Sequence, residues 1–425
     1  MELYVHIPFC VRKCLYCDFL SFAAGDDLKE RYINALIKEL GSFSGLLKAV
    51  PVFDTVFIGG GTPSLLDMKN TEKLLAAIKP ALSENAEFTV ECNPGTLDPE
   101  KLSLYREYGV NRLSIGLQSA NDKELEYIGR IHRFEDFQRS YENARSAGFD
   151  NINIDLMSGL PGQNVSDFEN TLVTVAKLAP EHISAYSLII EPGTRFFEIY
   201  GENSACTEEV HVCDEVRNNQ DNGNQNSHDN EKSNCLNDEK REMRKTAGDI
   251  LPLPSEDEER KMYHITKQIL KDYGYIRYEI SNYSKQGLEC RHNLGYWKGE
   301  EYLGAGIGAA SYFKNERYKN TDDINRYIQY AEKNDWKSLG TLRTETEVIG
   351  FEESVEEYII LRLRLIEGFS KEDFAHRFGF SVMDKYLDVI KKHLNNGLLT
   401  DIDGRLALTE RGLDLSNSVM SDFLK

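Results

Sequence analysis

The chain has no run of apolar residues approaching the ~20 that a membrane-spanning helix needs, and no basic-then-apolar stretch opens it. Both observations argue against a transmembrane helix and a secretory signal peptide. Positive charge is also short: 50 Lys and Arg stand against 70 Asp and Glu, a formal net charge of -20. That balance opposes gripping a phosphate backbone, so no nucleic-acid partner is expected, although it leaves room for a local basic patch. A disulfide framework is missing too. Of eight cysteines three are clustered and the rest scattered, unlike a secreted scaffold, and a reducing cytoplasm is the natural setting. The composition is that of an ordinary soluble globular protein, and 425 residues suffice for one large domain and one or two smaller ones.

What is present begins with Cys10, Cys14 and Cys17, a C-x3-C-x2-C loop fed by an apolar strand over 3–9. Three thiolates so close in sequence can face one point. Soft thiolates suit an iron–sulfur cluster, which usually takes four, so one iron would stay open. A zinc knuckle or a disulfide is disfavoured because no second Cys/His pair follows at zinc spacing. The spacing resembles the signature of the radical S-adenosylmethionine (SAM) superfamily. That resemblance implies a 4Fe–4S cluster on the three cysteines, with SAM completing the fourth iron.

Downstream, apolar periodicity predicts helices over 27–43, 71–82, 99–108, 134–147 and 168–178, alternating with strands over 54–58, 87–90, 112–117, 152–157 and 182–190. Such alternation means parallel strands with right-handed crossover helices. The expected fold is α/β: a partial (β/α)6 TIM-like barrel over residues 1–200. The cysteines, Gly59 to Pro63, Glu91, Gln118 and Asp155 all fall at or just beyond strand C-termini, the face that carries the active site in such barrels.

Residues 201–250 break the pattern, with 12 acidic residues, 6 basic ones and nine asparagines, and are expected to be a disordered insertion. Cys206, Cys213 and Cys235 there match no metal-ligand spacing. Residues 251–340 are expected to complete the barrel, with a helix over 257–273 and a strand over 277–281. Residues 341–425 read as a winged-helix-like unit: helices over 351–365, 371–378 and 382–394, a hairpin about Asp403-Gly404, and a last helix over 410–423. It has no basic recognition helix, so a packing role is expected of it.

Several motifs together resemble the family of oxygen-independent coproporphyrinogen oxidases, and most closely its haem-chaperone (HemW-type) branch. They are Tyr4-Val5-His6-Ile7-Pro8-Phe9-Cys10, Tyr16-Cys17-Asp18-Phe19, Gly59 to Pro63, Gly116-Leu117-Gln118-Ser119, Asp155 to Gly162, and Cys290 to Trp297. The resemblance places Gly60, Gly61 and Thr62 at SAM's amino group, where glycines let backbone approach closely. It places Tyr16 against the adenine, and gives Tyr4, Glu91, Gln118, Arg130 and Asp155 to the carboxylate, sulfonium and ribose. Glu91 and Asp155 as helix caps, and Arg130 as a surface residue, are the plainer alternatives.

The branch's distinguishing motif is His292-Asn293-x-x-Tyr296-Trp297. Histidine can ligate haem iron, aromatic rings can cover a porphyrin, and Cys290 beside them is a candidate soft ligand. The alternative is a buried polar turn. Two departures separate the chain from the oxidase: Phe19 stands where the oxidase has a further cysteine, and only nine residues precede Cys10. The resemblance therefore implies a haem chaperone that binds haem, a 4Fe–4S cluster and SAM, and passes haem to an acceptor haem protein. Respiratory or membrane-associated acceptors fit that role. Coproporphyrinogen III oxidation, or radical SAM chemistry on another substrate, are the alternatives.

Overall fold

The computed structural model describes residues 1–48, 51–201, 250–333 and 342–424. The expected insertion therefore lies, but for its two end residues, outside the described residues.

The first half alternates as expected. In order come β1 (Glu2–Ile7), α1 (Asp26–Leu47), β2 (Phe53–Gly60), α2 (Met68–Ile78), β3 (Leu82–Cys92), α3 (Pro99–Glu107), β4 (Arg112–Gln118), α4 (Asp122–Tyr127), α5 (Phe134–Ser146), β5 (Ile152–Ser158), α6 (Val165–Lys177), β6 (His182–Ser187) and α7 (Arg195–Tyr200). Local chemistry starts the helices. Asp67, Asp98 and Asn164 cap α2, α3 and α6 through their side chains, and Pro99 follows its cap at the first helical position. Strands β1 to β6 pair in parallel in sequence order. Their near-continuous apolar runs fit a sheet covered by helices. Leu3, Val5, Ile58, Val90, Ile115 and Ile154 are all buried in one core.

The second half extends this sheet at both edges. After α8 (Glu256–Asp272), the expected strand over 277–281 is instead a pair, β7 (Ile276–Arg277) and β8 (Asn282–Ser284), with β8 antiparallel to β6. Then come α9 (Arg291–Lys298), β9 (Tyr302–Ala305), β10 (Ala310–Phe313), β11 (Glu316–Asn320), α10 (Ile324–Glu332) and β12 (Arg343–Val348). β9 lies parallel to β1 on the side away from β2, and β10 to β12 follow antiparallel. The order is β12-β11-β10-β9-β1-β2-β3-β4-β5-β6-β8-β7.

The last unit has its own core. It holds α11 (Phe351–Leu363), β13 (Phe369–Ser370), α12 (Lys371–Phe378), α13 (Val382–Asn395), β14 (Leu399–Ile402), β15 (Arg405–Leu408), α14 (Glu410–Asp414) and α15 (Ser416–Ser421). The expected hairpin is present, with Asp403 and Gly404 both at positive φ, and β13 adds a third strand to it. The expected final helix is broken at Leu415 into two short ones. No described helix is long and apolar enough to cross a membrane.

Candidate functional site

The ends of β1 to β6 meet around a cavity of about 470 Å3 that Cys10, Cys14 and Cys17 line together. Their loop is pinned from several sides. The Cys10 N–H donates to the Phe22 carbonyl (3.1 Å), the Leu15 N–H to Ile128 (3.1 Å), and the Phe196 N–H to Leu15 (3.0 Å). Arg12 reaches the Gly129 carbonyl at 2.9 Å. Gly129 has a φ of +80°, and a Cβ there would sit 3.0 Å from the Leu15 side chain. The three thiols are free. Burial pushes the Cys17 thiol up. Among the described residues no three His, Cys, Asp or Glu side chains already stand at metal-ligating distance. The donor set still fits a cluster: three free thiols share one cavity.

The glycine strip after β2 serves the protein first. A Cβ on Gly60 (φ +111°) would lie 2.5 Å from the His6 ring, and one on Gly61 2.7 Å from the Phe9 carbonyl oxygen. Glycine is thus required by the close approach of β1, not only by a ligand. The N–H groups of Gly60, Gly61 and Thr62 are already bonded, to Glu91, Ile7 and Phe9. What the strip can offer a ligand ammonium is carbonyl oxygen.

A polar chain runs from there across the strand ends. Thr62 Oγ1 lies 3.5 Å from Cys10 Sγ and accepts from Asn93 Nδ2 at 2.8 Å. Asn93 Oδ1 accepts from Arg130 (2.9 Å), whose other terminal nitrogen donates to the Gly116 carbonyl (3.0 Å). A Cβ on Gly116 would meet that guanidinium at 2.8 Å, which explains the glycine. Arg130 is thus no surface residue, and its buried Nε has no partner. Asn93 was not anticipated; its only signal is its place two residues beyond Glu91, just past the end of β3.

Glu91 and Asp155 are not helix caps. Glu91 Oε2 accepts the Gly60 N–H at 3.0 Å. Burial, reinforced by Asp155, pushes its carboxyl up to about 8. Asp155 accepts from Asn153 (2.7 Å) and Ser114 (3.3 Å), and burial raises it too. The two half-buried carboxyl groups border one cavity, an arrangement chemically suited to a cation. Gln118, at a φ of +74°, accepts from the Tyr186 hydroxyl at 3.0 Å. Tyr16 lines the same cavity and packs against an apolar cluster containing Ile128, Met157 and Leu160.

Tyr4 stands beside Glu91, which borders two cavities. It lines a second, larger cavity of about 870 Å3, and its hydroxyl bonds His6 Nδ1 at 3.0 Å. The two cavities share Phe19, Gly60, Glu91 and Asn293 as walls. All four residues of the His292 motif line the larger one. Helical spacing explains the motif: His292 and Tyr296, like Asn293 and Trp297, are four apart and share a face of α9. Glu87 holds the start of that helix, accepting the N–H groups of Arg291 and His292, both at 3.0 Å. His292 Nδ1 bonds Thr55 Oγ1 at 2.7 Å, Nε2 bonds the Tyr296 hydroxyl at 3.1 Å, and the ring stacks on Phe57. Burial lowers its pKa to about 3, so the imidazole is neutral at physiological pH. Cys290 does not reach the cavity. It is buried, its thiol donates to Glu87, and burial pushes it up to about 12, so it is no soft ligand here.

Residues 4–175 match the radical SAM superfamily, and residues 352–415 match the HemN C-terminal domain. The chain is 36% identical to heme chaperone HemW of Bacillus subtilis, over 99% of this chain and 98% of that protein. It is 34% identical to heme chaperone HemW of Lactococcus lactis (99% and 96%) and 30% identical to that of Escherichia coli (100% and 98%). Among solved structures, the coproporphyrinogen III oxidase HemN of Escherichia coli superposes with a TM-score of 0.76 at 20% identity. That match covers 99% of this chain and 89% of that one, and it bears on the fold.

Proposed function

The chain belongs to the heme chaperone HemW family of radical SAM proteins, and on that premise we propose that it carries haem in the larger cavity and passes it to an acceptor haem protein. The observation that carries this reading is the pairing of the two cavities. One gathers three thiols and cation-seeking carboxyls; the other is walled by Tyr4, Phe57, Tyr296, Trp297, Tyr302 and Tyr312. Its 870 Å3 falls within the roughly 300–1,000 Å3 usual for small-molecule pockets.

In the smaller cavity Cys10, Cys14 and Cys17 would hold three irons of a 4Fe–4S cluster, and SAM bound there supplies radical chemistry in proteins of this class. Glu91 and Asp155 would face SAM's positive groups, and Arg130 its carboxylate. Gln118 and Tyr16 would bound the nucleoside.

In the larger cavity His292 has the arrangement of a ligating histidine. Thr55 fixes Nδ1, the ring is neutral, and Nε2 points to a hydroxyl that can yield to iron. Asn293, Tyr296 and Trp297 would line the porphyrin. The acceptor class is a haem protein, respiratory and membrane-associated ones included, and the compartment is the cytoplasm, where the thiols stay reduced. The test is an anaerobic haem titration of the reconstituted full chain. A saturable Soret band that His292→Ala shifts or weakens, with the cluster chromophore intact, is expected. A chain that takes up no haem contradicts the reading.

A further inference from the structure

Four cationic side chains line the larger cavity, and they fall into two kinds. Arg317 is bound at both ends of its guanidinium by Glu357 (2.7 and 2.9 Å), and Lys319 pairs with Asp322 at 3.2 Å. Their charge is already met within the protein. Arg362 and Arg377 differ: among the described residues neither has an acidic group at salt-bridge distance or a hydrogen-bond acceptor. Arg362 stands in the last turn of α11 and Arg377 in the last turn of α12. Both lie over the ring of Tyr358, at 3.8 and 5.6 Å from its centroid.

Arg362 is the telling member. It is half-buried, and its Nη1 is fully buried with no partner. A last-turn arginine serving its own helix would donate to the final carbonyls; this one donates to none. Glu300 and Asp373 act on it only at longer range, and burial lowers its pKa. An unmet buried guanidinium donor costs free energy unless a ligand meets it. Guanidinium forks match carboxylates in particular.

We propose that Arg362 and Arg377, stacked on Tyr358, form a carboxylate-recognition subsite by which the C-terminal unit reads the two propionates of a porphyrin whose apolar plane lies against the cavity's aromatic walls. The subsite rests on the haem reading above, but it concerns the carboxylates and not the iron. It gives the C-terminal unit a part in binding, where the sequence alone suggested packing.

The test titrates the full chain with haem, with metal-free protoporphyrin IX and with haem dimethyl ester. Proteins are the wild type, Arg362→Gln, Arg377→Gln and the conservative Arg362→Lys. Haem and protoporphyrin IX should both weaken about tenfold or more in each Gln variant, with partial recovery in Arg362→Lys. The ester should bind the wild type less tightly than haem and be nearly indifferent to the substitutions. Cluster absorbance, which the subsite does not touch, should be equal in all. Wild type that binds ester as tightly as haem, or Gln variants with unchanged affinity for both acids, overturns the subsite while leaving haem carriage standing. Wild type that binds none of the three overturns both.

Discussion

Glu87 on β3 accepts the backbone N–H of His292 at 3.0 Å, although 205 positions separate them. The same carboxylate takes the Arg291 N–H and the Cys290 thiol, so β3 holds the first turn of α9 and aims the whole motif. Replacing Glu87 with Ala should cost about 1–3 kcal/mol, because it orphans two amides at a helix start. Urea unfolding measures that cost, and haem affinity should fall with it while the cluster stays. Unchanged stability would show that α9 does not depend on Glu87.

Gly295, on the same helix, faces β1. A Cβ there would lie 1.6 Å from Glu2 Oε1. Gly295→Ala should therefore destabilise the fold by about 1–3 kcal/mol through overpacking. Glu2→Ala should relieve part of that in the double variant. A double-mutant cycle reads the coupling, and additive costs would contradict the packing account.

Glu91 gives the site a pH dependence of defined sign. Its folded pKa of about 8 lies above the ordinary 4.5, so the folded state holds a proton that the unfolded state releases. The stability it contributes is full below about 4.5 and lost as pH rises towards about 8, at most ~1.4 kcal/mol per unit. Glu91→Gln should flatten this slope. Glu2, also raised to about 8, leaves a residual slope. A cation bound beside Glu91 should expel the proton, so SAM titrated near pH 7 in two buffers of different ionisation enthalpy should show proton release. Identical heats in both buffers would remove Glu91 from contact with the cation.

The thiols sort in the same way. Cys10→Ala, Cys14→Ala and Cys17→Ala should each abolish the cluster chromophore. Cys92→Ala and Cys290→Ala should keep it: Cys92 borders the same cavity but its thiol donates to the Val90 carbonyl, and the Cys290 thiol donates to Glu87. Full iron content after Cys14→Ala would exclude the loop as the cluster's holder.

The alternation of β1 to β6 was legible because parallel strands buried on both faces are rich in apolar residues and are separated by segments of helical period. The strand ends were legible for the same reason, which brought Glu91, Gln118 and Asp155 to one face. Strands β9 to β12 were not: Tyr302–Ala305 and Ala310–Phe313 are only four residues long, and Glu316–Asn320 carries three charges in five residues. Six-residue α4, started by the Asn121 cap, is too short to show a period. At the site, spacing showed which residues converge but not into which cavity. Cys290 was misjudged on that account: the depth at which Glu87 holds α9 arises only from packing.

The measurement that bears most directly on haem carriage presents the reconstituted protein, anaerobically and with SAM and reductant, with haem in one arm and coproporphyrinogen III in the other. The account predicts stoichiometric haem uptake that needs no turnover, and no carbon dioxide or protoporphyrinogen IX from the second arm. Steady carbon dioxide release from coproporphyrinogen III without haem uptake would contradict it and make the protein an oxidase.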